Sequence, residues 1–407
     1  MDGAKTVLLI GTLDTKGAEY AYLRERLRLH GVDAILADAG VNEPAGAEPD
    51  IGRAELAAET GADPSALATT GDRGAAVTAM AEAAEALARR LYAEGRIGAV
   101  LAAGGSGGTA IATRAMQALP VGAPKLMVST VAAGNTVDYV GASDVTLMAS
   151  VTDVAGVNSI SGRILANAAA AIAGMVQAPS VELGEQKPLV GASMFGVTTP
   201  CVTAARERLE ERGYEVLVFH ATGTGGKAME GLMDSGFLGG VLDVTTTELC
   251  DELVGGVFSA GPDRLEAAGR LGLPQVVSLG ALDMVNFGAR DTVPKRFSGR
   301  NLYVHNPSVT LMRTTPEESA ELGRRIARKL SAATGPTALF IPLRGVSMID
   351  AEGQPFHDPE ADAALFSALR AGLDDRVELI ELECNLNDPE FSAAMADKLD
   401  EYMGGTR

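Results

Sequence analysis

Residues 99–109 read Ala-Val-Leu-Ala-Ala-Gly-Gly-Ser-Gly-Gly-Thr, a short apolar run that ends in four glycines around one serine. A segment rich in Ala, Ile and Met follows, with the composition of a helix. Glycine lets the backbone turn tightly and lets a ligand approach it closely, and the amides that open a helix point towards an anion. The pattern predicts a strand, an anion-binding loop and a helix. The alternative is a tight strand-to-helix turn that binds nothing.

The start of the chain has a similar arrangement. An apolar strand pattern at 6–10 is followed by a polar loop at 11–17, an amphipathic helix at 19–30 and a strand at 33–37. This order indicates a parallel βαβ unit, and ligands of open parallel sheets bind beyond the carboxyl ends of the strands. Residues 45–73, rich in Ala, Pro and Gly, are predicted to form a peripheral insertion. The polar residues expected at the binding edge are Thr12, Asp14, Thr15, Lys16, Asp38 and Asn42.

The first loop combines a carboxylate, a hydroxyl and a cation. Lys16 suits phosphate oxygens, and Asp14 suits Mg²⁺, directly or through water. The alternative is ordinary helix capping by Thr12 or Asp14, with Lys16 in solvent. A further Gly/Ser/Thr-rich loop at 129–136 follows a strand predicted at 124–128. We predict a bound phosphate group, with Asp14 as the metal ligand and these binding residues: Thr12, Asp14, Thr15, Lys16, Gly104, Gly105, Ser106, Gly107, Gly108, Thr109, Ser129 and Thr130.

The length of 407 residues exceeds what one hydrophobic core usually covers, so we expect two domains. Residues 179–188 have the composition of a linker, and the strand–loop–helix pattern restarts at 189. The predicted fold is α/β, with two Rossmann-like, doubly wound domains built on mainly parallel sheets. Residues 1–180 carry the glycine loop and the predicted phosphate-binding site, and residues 181–407 face a cleft between the domains, where we expect the site.

Three side chains at strand ends of the second half are predicted to be catalytic: His220, Asp243 and His305. A histidine beside a cleft can act as a general acid or base near neutral pH, and Asp243 can take a proton from a hydroxyl. The alternative to a catalytic role is that the two histidines form structural hydrogen bonds at the rim of the cleft, and that the aspartate forms a surface salt bridge.

The composition is that of a globular protein, with 46% apolar and 21% charged residues. A net charge of −19 argues against nucleic-acid and membrane-surface partners. The three cysteines form no Cys-x-x-Cys pair, which speaks against a disulfide framework and a structural zinc site. Because the N-terminus does not resemble a signal peptide and no apolar run approaches about 20 residues, we expect a cytoplasmic protein.

Residues 104–109 are similar to the Gly-Gly-Asp-Gly-Thr/Ser loop of phosphofructokinases and NAD kinases, except that Ser106 stands where those families have a metal-associated aspartate. Longer motifs together resemble another family, the ATP-binding domain of the tomato mosaic virus resistance protein and its bacterial and fungal relatives. The similar stretches extend over nearly the whole chain: 11–17, 104–109, 129–138, 153–158, 220–226, 243–246, 305–307 and 342–347.

This resemblance implies two Rossmann-like domains, a homodimer and binding of ATP with Mg²⁺. In the plant protein a TIM-barrel domain follows this region, so a separate TIM-barrel protein is a candidate partner here. We predict an ATP-dependent enzyme, a phosphotransferase or a ligase, that acts on a small polar or acidic metabolite. The alternatives are a nucleotide-dependent dimeric scaffold or sensor, and a lyase or hydrolase of a carboxylated metabolite that uses no nucleotide.

Overall fold

The computed structural model describes residues 5–179 and 186–405, and the chain divides into two compact units, Met1–Leu183 and Gly184–Arg407. The predicted linker at 179–188 falls at this division, and its residues 180–185 lie outside the described residues. The cleft between the domains stays a prediction.

The first unit is a five-stranded parallel sheet covered by helices. Its strands are β1 (Val7–Gly11), β2 (Ala34–Asp38), β3 (Ala99–Gly104), β4 (Lys125–Ser129) and β5 (Thr146–Ala149). They lie in the order β2-β1-β3-β4-β5, and each pairing is parallel. The helices are α1 (Leu13–Leu29), α2 (Arg53–Ala58), α3 (Pro64–Thr70), α4 (Arg73–Ala93), α5 (Ser106–Gln117), α6 (Val137–Val140) and α7 (Ser161–Gln177).

Both faces of this sheet are buried by helices. Leu8 and Ile10 of β1 pack in a core with α4 and α5, whereas Val7 and Leu9 pack in a core with α1 and α7. A strand covered on both faces is apolar along its whole length, which explains the unbroken run at 6–10. The predicted doubly wound α/β arrangement is confirmed for this unit.

The segment 45–73 is more than a peripheral insertion. It forms α2 and α3, and Leu56 of α2 is fully buried in the same core as α4. Its short helices escaped the sequence analysis because each is only six or seven residues long, too short to show a clear helical period.

The second unit contains a six-stranded parallel sheet and a small antiparallel one. Its described strands are β6 (Leu189–Met194), β7 (Glu215–His220), β8 (Gly240–Thr245), β9 (Gln275–Gly280), β10 (Met284–Phe287), β11 (Leu302–Asn306), β12 (Val309–Arg313), β13 (Thr337–Pro342) and β14 (Glu378–Leu382). The parallel sheet has the order β14-β13-β9-β8-β6-β7, and the antiparallel sheet has the order β10-β12-β11.

Helices again cover both faces of the large sheet, so this unit is doubly wound as predicted. One face packs against α8 and α14, the other against α12 and α13. The helices are α8 (Thr199–Glu211), α9 (Thr224–Asp234), α10 (Glu248–Val254), α11 (Ala267–Leu271), α12 (Pro316–Ser331), α13 (Pro359–Gly372) and α14 (Pro389–Tyr402). Within the described part of the chain, every helix is too short or too polar to cross a membrane.

Each large sheet has a point where the direction of winding reverses. In the first unit β1 is followed by β2 on one side and by β3 on the other, so the reversal lies between β1 and β3. Loops on either side of such a reversal run in opposite directions and leave a crevice at the carboxyl edge of the sheet.

Candidate functional site

A cavity of about 650 Å³, called the first cavity below, lies at the reversal point of the first unit. It is lined by the loops that follow β1, β2 and β3, together with residues of α3 and α4. Asn42 lines it, and so do ten of the twelve predicted binding residues: Thr12, Asp14, Thr15, Lys16, Gly104, Gly105, Ser106, Gly107, Gly108 and Thr130. The first half of the chain therefore brings most of its predicted binding residues together.

Tyr20 of α1 is placed where β1 and β3 separate. The pairing of β1 with β3 ends at Leu9 and Leu101. Beyond it, the Tyr20 hydroxyl lies 2.6 Å from the Ile10 carbonyl oxygen, to which it donates, and accepts from the Ala103 amide at 3.0 Å. Gly11 makes room for the ring, because a Cβ there would lie 2.1 Å from it. The tyrosine thus replaces the missing strand-to-strand hydrogen bonds while the two loops diverge.

The N-terminus of α5 opens onto the first cavity without a side-chain cap. Gly105 is the N-cap residue and offers no side chain, so the first-turn amides of Ser106, Gly107 and Gly108 are not capped by it. All three residues line the cavity. A helix of this length carries a partial positive charge at its start, which favours an anion there.

Two cations line the same cavity. Lys16 lies at a kink in α1, where its backbone leaves helical geometry with φ −128°. Arg73 is the first residue of α4, and its Nη2 atom lies 3.7 Å from the position that a Cβ on Gly107 would take. Within the described residues neither side chain forms an ion pair. Arg73 was missed by the sequence analysis because it belongs to the segment interpreted as peripheral.

Two carboxyl groups meet beside Gly40. A Cβ on this glycine would lie 3.0 Å from Asp14 and 3.1 Å from Asp38. Asp14 accepts from the Asn42 side chain at 3.1 Å through Oδ2, while its Oδ1 is buried and has no hydrogen-bond partner. The Thr12 side chain does not cap α1 and lies 3.1 Å from the Thr15 hydroxyl instead, so neither predicted cap is formed.

Asp38, which lies at the carboxyl end of β2, fixes the loop after β1. Its Oδ1 accepts from the amides of Leu13 at 3.1 Å and Gly40 at 2.9 Å. The side chain is fully buried, and burial raises the pKa of its carboxyl above the ordinary value. Asp38 is therefore a positioning residue for the loop that carries Asp14 and Lys16.

Thr109 and Ser129 support the glycine loop from behind. Their hydroxyl oxygens are 2.7 Å apart, both residues are buried, and Thr109 also donates to the Gly105 carbonyl at 2.8 Å. Neither residue lines the first cavity. Their hydroxyls tie the start of α5 to the end of β4, which differs from the direct ligand contact predicted for them.

Part of the lining of the first cavity is apolar. Its side chains come from α3, α4 and α5 and are Leu67, Ala76, Val77, Met80 and Ile111. The cavity thus combines a charged end, where Arg73 meets the glycine loop, with apolar side chains. Among residues 5–179 and 186–405, no three His, Cys, Asp or Glu side chains are grouped to hold a metal by themselves.

The three residues predicted to be catalytic in the second unit do not share one environment. Asp243 is buried and forms a two-pronged ion pair with Arg264, at 2.5 and 2.7 Å, while Ser193 donates to it at 2.6 Å. Its oxygens are thus engaged, which leaves it poorly placed to take a proton from a substrate. His220 and His305 are exposed, and no hydrogen bond joins them to Asp243 within the described residues.

Glu248 completes this buried network. It accepts from Arg264 at 2.6 Å and from the amides of Gly223 and Gly226, at 2.7 and 3.1 Å, at the start of α9. The N-terminus of α9 therefore already holds a carboxylate from the same chain. Sequence reasoning could not pair Asp243 with Arg264, because the two are 21 residues apart and belong to no common motif.

A second buried ion cluster surrounds Arg313. This arginine donates to Asp362 at 2.7 Å and lies 3.2 Å from Asp350, while Asp283 accepts from Ser347 at 2.8 Å. Burial and the neighbouring carboxyls raise the pKa of Asp350 to about 9. One guanidinium cannot neutralise three buried carboxylates, so the cluster retains a proton at neutral pH.

Two family models match this chain, and the ranges that they match are nearly the same as the two units of the structure. Models described as the N-terminal and C-terminal domains of an uncharacterised protein family, UPF0261, match residues 5–180 and 187–403. A UPF0261 protein of Clostridium tetani is 52% identical over 400 residues, which cover 98% of this chain and 99% of that protein. A UPF0261 protein of Rhizobium meliloti is 51% identical over 96% of this chain and 97% of its own length.

A plant protein is also similar. The ToMV resistance protein Tm-1(GCR237) of Solanum lycopersicum is 44% identical over 342 residues, which cover 82% of this chain but 45% of the tomato protein. The chain thus matches about half the length of that relative. Since two family models together match nearly all of the described residues, the chain belongs to the uncharacterised protein family UPF0261.

Proposed function

We propose that the first unit binds ATP together with Mg²⁺ in the first cavity. The observation that carries the proposal is the convergence, in one cavity, of the uncapped N-terminus of α5 with Lys16 and Arg73. In a chain of net charge −19, a polyanion needs such local positive groups to overcome the overall repulsion. Helix amides and a flexible lysine are both common partners of phosphate groups.

The residues at the charged end also suit a magnesium ion. Mg²⁺ is usually held by one or two carboxylates, with phosphate oxygens and water as its other ligands. Asp14 lines the cavity, and one of its oxygens has no protein partner, so its carboxylate is the group that would hold the ion. The ion would neutralise phosphate charge beside Lys16, and Asp38 would keep the loop in position.

The apolar side of the cavity suits the base of a nucleotide. A volume of about 650 Å³ lies in the range of small-molecule and cofactor sites, most of which combine an apolar wall with a few polar groups. Leu67, Val77 and Met80 supply such a wall. A small carboxylate would use the charged end and leave this wall in water, so the cavity favours a nucleotide over the carboxylate alternative.

We further propose that the nucleotide serves an ATP-dependent reaction, and that the protein is a homodimer, as the family resemblance implies. Phosphoryl transfer depends mainly on positioning and on charge stabilisation, which helix amides, a lysine and Mg²⁺ supply. A sensor or scaffold would use the same binding site without consuming ATP. Release of ADP by the purified protein, with and without candidate acceptors, separates the two.

The binding proposal is tested by calorimetric titration of Mg-ATP, supported by thermal shift. At 100 times its Kd, a ligand that binds only the folded protein stabilises it by roughly 2.7 kcal/mol. Lys16→Ala is expected to weaken binding by about 10- to 100-fold, since a hydrogen bond to a charged group contributes about 1.5–3 kcal/mol. Lys227→Ala is the matched control, because Lys227 lies in the first turn of α9, where Glu248 already occupies the amides.

Three outcomes bear on this proposal. Loss of binding in Lys16→Ala but not in Lys227→Ala supports it. Failure of Mg-ATP to bind the unchanged protein, or equal binding by Lys16→Ala, refutes it. Stabilisation by an organic acid when nucleotides have no effect would instead identify the cavity as a carboxylate site.

A further inference from the structure

A second cavity, of about 380 Å³, lies beyond the carboxyl ends of β4 and β5 in the first unit. It adjoins the first cavity, because Thr130 and Asp153 line both of them. Thr130 lies close to the glycine loop, with its hydroxyl oxygen 3.8 Å from where a Cβ on Gly105 would be. A molecule in the second cavity would therefore be next to the end of the first cavity that holds the phosphate groups.

The lining of the second cavity is rich in hydroxyl groups. It consists of Ser129, Thr130, Ala133, Ala149, Ser150, Val151, Thr152 and Asp153. Within the described part of the chain, no lysine, arginine or histidine lines it, and Asp153 is its one charged residue. An anionic molecule would meet a carboxylate without a compensating cation, whereas a neutral molecule with hydroxyl groups would find donors and acceptors.

Some of these polar groups already have partners. The Ser129 hydroxyl pairs with Thr109, and Ser150 donates to the Thr152 carbonyl at 2.6 Å. The Thr152 hydroxyl, in contrast, is buried and has no hydrogen-bond partner. One oxygen of Asp153 accepts from the Val154 amide at 2.8 Å, which leaves its second oxygen for a ligand. Buried polar groups are nearly always paired, so an unpaired hydroxyl at a cavity indicates a missing partner.

The backbone at this point is strained. Val151 has φ +62°, and the Thr152 amide donates to the Ser150 carbonyl at 2.7 Å across it. A β-branched residue at positive φ is a rare conformation that costs about 1–3 kcal/mol. The Val151 side chain is 81% exposed, so no packing of that side chain offsets the cost. Thr152, whose hydroxyl is buried, follows Val151 in this tight turn and lines the cavity.

We propose that the second cavity binds a neutral, hydroxyl-bearing small molecule of the polyol or sugar class. Its role as the acceptor beside the nucleotide rests on the proposed function of the first cavity. This assignment narrows the expected substrate, a polar or acidic metabolite, to the neutral class. It also assigns that substrate to the first unit rather than to the residues of the second unit that were predicted to be catalytic.

The test uses the full chain and saturation-transfer-difference NMR with glycerol, D-glucose and myo-inositol, each at millimolar concentration. Glycerate and D-gluconate are the matched acids, and the measurements are made with and without Mg-ATP. The neutral probes are expected to give signals, and the acids at least tenfold weaker ones. Ala133→Trp, which fills the second cavity from an exposed position, should remove the signals, whereas Ala178→Trp, outside both cavities, should retain them.

Thr152→Val is a second variant, which keeps the shape of the side chain but removes its hydroxyl. It should weaken the binding of the neutral probes several-fold. Equal binding of acids and neutral probes would overturn the proposal, as would probe signals that Ala133→Trp leaves unchanged or the absence of signals from all three polyols. Mg-ATP binding, measured separately by calorimetry, reports on the first cavity. If the unchanged protein binds the polyols but not Mg-ATP, the nucleotide proposal for the first cavity is refuted and the proposal for the second cavity stands.

Discussion

Replacing Tyr20 by phenylalanine removes one oxygen atom from the place where β1 and β3 separate. In the folded protein this hydroxyl donates to Ile10 and accepts from the Ala103 amide. The replacement leaves both backbone groups buried and without a partner, since Ile10 and Ala103 are at most 2% exposed. Each such group costs about 1–3 kcal/mol, so Tyr20→Phe is expected to destabilise the first unit by roughly 2–6 kcal/mol.

Tyr22→Phe is the matched control for this variant. Tyr22 belongs to the same helix and donates one hydrogen bond to the Gly162 carbonyl, at 3.1 Å, from a half-buried position. Loss of a single accessible hydrogen bond should cost roughly 0.5–1.5 kcal/mol. Urea unfolding followed by far-UV circular dichroism measures both variants, because the chain contains no tryptophan to serve as a fluorescent probe.

Hydrogen exchange at the Ala103 amide adds a local measurement. A loss of 2–6 kcal/mol corresponds to roughly 30- to 20,000-fold faster exchange, since every 1.4 kcal/mol is a factor of ten. The reasoning is refuted if Tyr20→Phe destabilises the protein no more than Tyr22→Phe does and the Ala103 amide stays protected. The strand separation would then be held by the packing of the ring rather than by its hydroxyl.

Three further predictions concern charge and strain. Arg264→Met leaves Asp243 and Glu248 buried without their cation and should destabilise the second unit by about 3–5 kcal/mol in urea unfolding. Because the pKa of Asp350 is raised to about 9 in the folded state, the stability present at acidic pH should fall as pH rises from about 4 to 9, and Asp350→Asn should flatten this dependence. Val151→Gly should stabilise the protein by about 1 kcal/mol in thermal unfolding, since relief of strain exceeds the entropy cost of glycine.

Each of these has an outcome that contradicts it. For Arg264, the control is Arg270→Met, which breaks an exposed ion pair with Asp234 and should lower the stability by less than about 1 kcal/mol. If the two variants lose equal stability, the buried ion pairs of Arg264 do not stabilise the second unit more than an exposed pair does. For Asp350, an unchanged slope of stability against pH in the asparagine variant would place the proton elsewhere. For Val151, a destabilised glycine variant would show that the turn is not strained.

Much of the first cavity could be predicted because its residues sit directly after strands. Gly104 to Gly108 and Asp14 to Lys16 follow apolar runs, and the geometry of parallel sheets brings the ends of such runs to one edge. Position along the chain does not show which way a hydroxyl points. Thr109 was therefore expected at the ligand, whereas the helical turn directs it to Ser129.

Other features depend on contacts between distant segments. Arg73 begins α4 some thirty residues before the glycine loop, and only the packing of α4 against α5 brings it to Gly107. Asp243 was expected at a strand end, like Asp14, but it lies inside β8, where Arg264 from a later turn neutralises it. A pattern of residue types marks the strand ends in both units. It does not reveal which of these carboxylates has a buried arginine beside it.

The carboxylate of Glu248 at the start of α9 acts as a tethered ligand. Because it belongs to the same chain, its effective concentration at the Gly223 and Gly226 amides is on the order of millimolar or higher, and folding holds it there permanently. Phosphate or sulfate added at ordinary buffer concentrations must compete with it and with its arginine partner. At α5 no such internal competitor caps the helix. Of these two helix starts, α5 and not α9 is therefore expected to bind an added anion.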